Sequence, residues 1–557
     1  MTDCRPPSEI MRLARLGSAH QTRLSFMRVL LRGMRRNGWR VKRALWQLDD
    51  TGVGRAVYSA EGQGQCYSLV AFAHDLPDCQ RSDRVIAEAW DATFALMDGR
   101  PTNADLDRLA ANVPLQEAGR VSDSELVLSR ANRSSRLWAH VVERLAAGLQ
   151  PDAERLAEVG YLMRTTAVYG SGKFGAADHA ALAGRPLMDG PFRAEMLAVW
   201  LIRAFVCDLV EHMARVTGGA RATCLAPALR RSLGIGNSTG LGMAPFLVNH
   251  PALLNAWIDA RERAFARVRA LPASSAGTRE GFERALKGTE ALLAGWRSKH
   301  PKQISKLADL KGDLRRISGK ISTGLLERAH PWQALWIWAQ SALTIEGQEL
   351  VLALMLEPHG TLIDDLAEEM GVEEYRKARI DGSMTLSELS DLIRQHFSWA
   401  LQPDYAVPEG CARFWYVSEA KLEPRLGERH AEAGADLEQP LDIGRSVAAL
   451  AKTLQDLPGD TNVADFLRAQ PEHRRALRRI QMVQSAPYGE IRDNLISADL
   501  MPIDMLRCKL AFFGATRFDP RSDRWVRITM FQNAPLPDEL HQLPEDDWCL
   551  GAQLLPA

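Results

Sequence analysis

The chain's 557 residues are enough for several domains, and a composition of 46% hydrophobic and 25% charged residues excludes a wholly disordered or collagen-like polymer. Lysine plus arginine total 69 and aspartate plus glutamate total 69, so no net field draws the chain to nucleic acid or to an anionic membrane, and neither is expected as a partner. Eight cysteines are scattered from Cys4 to Cys549 without a C-x-x-C pair, the pattern of reduced thiols rather than of a disulfide framework or a zinc site.

In chain order, residues 1–20 read as a disordered tail with no apolar core of a signal peptide. Residues 22–36 place Phe26, Val29, Leu30 and Met34 near helical spacing, and Asn37-Gly38 stops that helix by favouring positive φ. Trp39–Lys42, Arg55–Tyr58 and Tyr67–Phe72 are strand-like, and Glu61-Gly62-Gln63-Gly64 reads as a hairpin turn between the last two. The region 21–103 is therefore expected to be α+β with a small antiparallel sheet, followed by a helix over 82–97 with Ser82 as its cap.

Over 104–400 the period is helical, with helices expected at 123–148, 152–163, 192–216, 249–270, 280–297, 331–356, 361–370 and 385–399. Arg193 to Val216 is apolar almost all round, which predicts a buried central helix; its longest apolar stretch, Met196 to Val210, is interrupted by Arg203 and Asp208 and is too short for a membrane span. Gln402 to Gly410 marks a boundary, and 401–557 is expected to be a second α+β region with strands at 412–417 and 525–531. The class expected from these patterns is α+β and predominantly α-helical: a helical core domain over 104–400, small antiparallel sheet regions near both ends, and a cytoplasmic setting.

Two glycine-rich segments carry the functional expectation. The first, Arg164 to His179, contains G-x-G-x-x-G at Gly170, Gly172 and Gly175, with Ser171 and Lys173 between them. Glycines there let backbone N–H groups approach an anion, and Lys173 and Arg164 add charge. A helix rather than a strand is expected before it and no βαβ unit after it, so a dinucleotide fingerprint is not expected, and Phe174 stands where a Walker A motif needs Ser or Thr. The second, Gly234 to Met243, holds Asn237, Ser238, Thr239 and Gly240, with Ser238 or Thr239 as a helix cap that would present further N–H groups to an anion. For each segment the plain alternative is a bend or a cap between packed helices.

The third pattern, Asp208-x-x-Glu211-His212, puts three polar side chains on one helical face, and paired charges at the polar end of the helix are the favoured reading over metal ligation. Together these patterns point to an enzyme acting on a small carboxylate, phosphate or sulfonate, with Tyr169, Asp178 and His179 as proton-transfer groups and chemistry of lyase, isomerase or hydrolase type. A helical binding or scaffold protein is the alternative. No cofactor and no oligomeric state is assigned by these residues.

Overall fold

The computed structural model describes residues 4–16, 22–80, 89–115, 118–167, 179–182, 184–240, 251–370, 380–405, 414–417, 424–426, 437–440, 443–483, 486–492, 508–515, 517–522, 525–542, 546 and 548–550. Its frame is one mixed sheet of nine strands: β1 (Arg40–Leu48), β2 (Gly54–Gly62), β3 (Gln65–Ala73), β4 (Ala92–Asp98), β5 (Glu125–Arg133), β6 (Tyr161–Thr165), β7 (Gly234–Gly240), β11 (Arg517–Ser522) and β12 (Trp525–Met530). Between β7 and β11 in sequence, β8 (Phe414–Val417), β9 (Pro424–Leu426) and β10 (Leu437–Pro440) form a separate three-stranded sheet. In the large sheet β1 to β7 lie in sequence order, and β12 then β11 close the far side. All neighbours are antiparallel except β6 and β7, which are parallel.

This corrects the expected fold class. The sheet is large, not a pair of small antiparallel regions, and it runs through the supposed helical core. The reason lies in burial. Val57, Val70, Ala95 and Leu128 form a row across β2 to β5 that packs on Leu106 and Leu109 of the Asn103–Asn112 helix. The neighbouring row, Tyr58, Leu69, Leu96 and Val127, faces the main core on the other side. A strand buried on both faces loses its polar–apolar alternation, so Leu126-Val127-Leu128 and Phe94–Met97 gave a false helical period. The expected 123–148 helix is strand β5 followed by the Trp138–Ala146 helix, and the C-terminal part of the expected 82–97 helix is β4. Residues 82–88 of that expectation lie outside the described residues.

The β2–β3 hairpin follows its sequence signal. Gln63 and Gly64, at φ 52° and 76°, form a two-residue turn whose twist matches that of the strands it joins.

The Arg193–Gly218 helix lies across the main-core face of the sheet, with Trp200, Ile202, Phe205, Leu209 and Val210 all buried. Phe205 meets the rings of Tyr58 and Phe94 edge-on at centroid distances of 6.5 and 5.6 Å. Each such fully buried side chain is worth about 1.5–3 kcal/mol. Arg203, the charge that interrupts the apolar run, spends its guanidinium on carbonyls: Leu233 at 2.7 Å, Ala534 at 2.9 Å and Arg231 at 2.9 Å. It thereby ties the helix to the start of β7 and to the segment after β12. No helix among the described residues is long and apolar enough to cross a membrane.

Residues 4–16, read from sequence as part of a tail, pack into the body instead, with Arg5 buried. A second apolar core, separate from the main one, is formed by the Leu386–Leu401, Gly444–Gln455 and Arg474–Val483 helices through Leu389, Ile393, Val447, Leu450 and Ile480.

Candidate functional site

The parallel pair β6–β7 sets the start of the first glycine-rich segment, Arg164 and Thr165, beside the second, which forms β7. Strand β6 ends at Thr165, level with Ala131 on β5 and, through the Arg164–Gly236 pairing, with Asn237 on β7. From that level β5 extends six residues further, back to Glu125, and β7 three further, to Gly240. The chain leading into Gly170–Gly175 therefore leaves β6 from a notch between two longer strands. It keeps to the β5 side at first: the Thr166 N–H donates to the Arg130 carbonyl at 3.1 Å. The Arg130 guanidinium lies over the Trp90 ring at 4.2 Å, and burial lowers its pKa. The end of a parallel strand is where open α/β sheets hold ligands.

The local expectations need correcting. A strand, β6, does precede the first glycine segment, after the Ala153–Val159 helix, and the Arg193–Gly218 helix links β6 to a parallel β7, so a βαβ unit is present. That long helix starts only at Arg193, well past Gly175, so the glycines do not open it as a dinucleotide fingerprint requires. The second segment is not a capping loop. Gly234 to Gly240 is a strand in which Ser238 and Thr239 pair with Arg527 and Val526 of β12, so neither caps a helix. Its first two glycines answer to packing: a Cβ at Gly234 would lie 2.4 Å from the Met530 carbonyl, and one at Gly236 would lie 2.6 Å from Cγ of Arg164.

Of the expected site residues, Arg164 is buried on β6 with its side chain across Gly236, and Asn237 is buried on β7. The Asn237 amide donates to the Thr165 carbonyl at 2.9 Å, which closes the ladder where β6 stops. Ser238, Thr239, Gly240 and His179 are placed by their backbone alone, His179 opening the His179–Leu182 helix. Tyr169, Gly170, Ser171, Gly172, Lys173 and Asp178 lie outside the described residues.

Asp208, Glu211 and His212 line a cleft of about 510 Å³ at the sheet's β1–β2 side. Each is engaged. Asp208 accepts from the Tyr58 hydroxyl at 2.5 Å, from Arg230 at 2.5 Å and from Arg43 at 3.1 Å. Burial and the Asp208 carboxylate raise the Tyr58 phenol far above its ordinary range, so Tyr58 stays a donor. Glu211 accepts from the Leu225 N–H at 3.1 Å, and the His212 Nε2–H donates to the Asp49 carbonyl at 2.9 Å. The three side chains serve as anchors between the helix, β1–β2 and the 225–230 segment. Among the described residues no group of three or more His, Cys, Asp or Glu side chains is placed to hold a metal.

One titratable group escaped the sequence reading. Glu195, half-buried in the first turn of the central helix, is pushed up to about 7 by burial, with Arg120 as its charged neighbour. A carboxyl group poised near neutrality is the kind that transfers protons. The signal available was an acid in the first turn of an otherwise apolar helix, where the sequence alone offered no reason to single it out. No family model, no curated protein and no solved structure matches the chain.

Proposed function

We propose that the chain binds a small anionic metabolite at the notch between β5 and β7 and acts on it as an enzyme in the cytoplasm. The observation that supports this reading is that β6 stops at Thr165, ahead of the first glycine-rich segment, beside the Asn237–Gly240 stretch of the parallel strand β7, with the Arg164 side chain packed across Gly236 at that level. Arg164 and Lys173 supply positive charge; the glycine N–H groups of Gly170, Gly172 and Gly240 and the hydroxyls of Ser171, Ser238 and Thr239 supply neutral donors. Tyr169, Asp178 and His179 are the proton-transfer groups, for a lyase, isomerase or hydrolase step. A non-catalytic binding or scaffold role is the second reading, and it is favoured by the structural use of this segment: the Asn237 amide ties the Thr165 carbonyl, and Gly234 and Gly236 sit at close packing contacts.

The test is a thermal-shift screen with small carboxylates, phosphates and sulfonates, followed by titration of the best of them into wild type and Lys173→Ala. A bound ligand raises the melting temperature by mass action. Lys173→Ala should melt like wild type and bind about 1.5–3 kcal/mol more weakly, the scale of a charge-assisted hydrogen bond. A variant with unchanged affinity ends the reading; turnover lost together with affinity separates the enzyme from the binding protein.

A further inference from the structure

A further cavity lies away from the notch. It has a volume of about 980 Å³ between the Phe26–Arg36 and Ala276–Gly295 helices and the 357–368 segment, and none of its lining residues belongs to β6 or β7. Six arginines face it: Arg23, Arg32, Arg35, Arg36, Arg193 and Arg284. So do the acids Glu357, Asp364, Asp365, Glu368 and Asp546, and the balance depends on which charges those acids already satisfy.

All five are taken. Glu357 receives both ends of the Arg28 guanidinium at 2.7 Å, behind the cavity wall. Asp364 holds Arg23 in a two-point pair at 2.8 Å. Asp365 pairs with Arg267, which is not part of the lining, and Glu368 pairs with Arg36. Asp546 binds Arg32 Nη1 at 2.5 Å and Arg28 at 3.4 Å.

Arg193 is left over. It forms no ion pair and no side-chain hydrogen bond among the described residues, and the two acids that act on it from further away, Glu368 and Asp189, serve Arg36 and the Gly184 N–H. Arg32 and Arg36 repel it, and burial with that repulsion pushes its pKa down to about 10. Arg32 keeps a second unspent donor: its Nη2 is buried and has no partner. A cation held among like charges without a counter-ion is costly for a folded chain. Gly33 lines the same space, and a Cβ added there would come within 3.9 Å of Nη1 of Arg193, while Gly281 and Gly288 let Pro358 and the Leu550 carbonyl pack closely on the Ala276–Gly295 helix. At the other end Ala285, Trp548 and Leu550 give an apolar wall.

We propose that this cavity is a binding site for a small molecule carrying two or more phosphate groups, held by Arg193 and the free donor of Arg32, with its organic part against Trp548 and Leu550. Guanidinium groups match phosphate oxygens in fork geometry, several such groups suit several anionic oxygens, and the volume exceeds what one phosphate would fill. The site is independent of the notch, so either can fail without the other.

The test titrates inorganic pyrophosphate and ADP, at fixed ionic strength, into wild type, Arg193→Gln and, as a control away from the cavity, Arg394→Gln by calorimetry. Saturable binding by wild type and Arg394→Gln, with affinity at least tenfold weaker in Arg193→Gln, is expected. Without ligand, Arg193→Gln should melt no lower than wild type, since it removes a repelled charge. Should that variant not fold, phenylglyoxal labelling of the wild-type protein reads the same site: pyrophosphate should protect the peptides holding Arg32 and Arg193. The proposal is overturned by wild-type protein that binds neither probe saturably, by Arg193→Gln binding as tightly as wild type, by absence of protection, or by binding of a short RNA that pyrophosphate does not displace.

Discussion

Glu195 shows how much a single position can ask of the fold. Its carboxyl rises from 4.5 to about 7 because burial disfavours the charged form. The linkage sign follows. Below about pH 4.5 the group is protonated in both folded and unfolded chains and makes no difference. Between 4.5 and 7 the folded chain holds a proton that the unfolded chain releases, so stability falls as pH rises, and the full cost stands above about 7. Glu195→Gln should therefore be more stable than wild type by about 1–3 kcal/mol at pH 8, with the difference vanishing at pH 4. Urea unfolding of both proteins at the two pH values checks this; equal gains at both would show that packing and not protonation is at work.

At the scale of elements, the glycines of β7 and of the β2–β3 turn are there for different reasons, and substitution distinguishes them. At Gly234 a Cβ would sit 2.4 Å from the Met530 carbonyl, which is backbone and cannot swing away, so Gly234→Ala must separate β7 from β12. It should cost about 1–3 kcal/mol, as overpacking does. At Gly64 nothing lies within 4 Å and only the φ of +76° resists, so Gly64→Ala should cost about 1 kcal/mol. Thermal unfolding of the two variants gives the order, and a larger loss at Gly64 would refute the packing account of β7. The contrast also explains what was legible. The β2–β3 hairpin was readable because a two-residue turn with positive φ at both positions leaves a local signature. Strand β7 was not, because glycine chosen for close approach looks the same in sequence as glycine chosen for a loop. Arg164 and Asn237 were named for a loop-borne site and lie on adjacent strands instead.

Across the whole molecule, what a sequence period cannot carry is long-range assembly. β12 inserts beside β7 although Trp525 and Gly240 are nearly three hundred residues apart, and nothing local in either strand announces the pairing. The N-terminal arm is the same kind of case. Arg5 looks like a solvated charge in a polar tail, yet its guanidinium grips Glu262 with two bonds of 2.8 Å and Glu349 at 2.9 Å, and its carbonyl accepts from the Tyr488 hydroxyl at 2.8 Å. The Phe265 and Trp336 rings lie 5.2 Å from its charge. One side chain thus joins the arm to the Pro251–Arg269, Pro331–Ala342 and Ile345–Leu356 helices. Arg5→Met should cost about 3–5 kcal/mol at pH 7, because it strips a counter-charge from two buried carboxylates that Arg261 and Arg15 only partly compensate. The pH dependence has the opposite sign to that of Glu195. Burial opposes the charge on both carboxylates, but the arginines prevail, holding Glu262 below 4.5 and Glu349 at about 2. Their stabilisation is in place above about pH 4.5 and drains away as pH falls toward 2. The gap in stability between wild type and Arg5→Met should shrink accordingly between pH 7 and pH 3, and limited proteolysis of wild type should begin to cut within residues 4–16 over the same range. A gap of the same size at both pH values would mean that Arg5 holds the arm through its packing on Phe265 and Trp336 rather than through its charge.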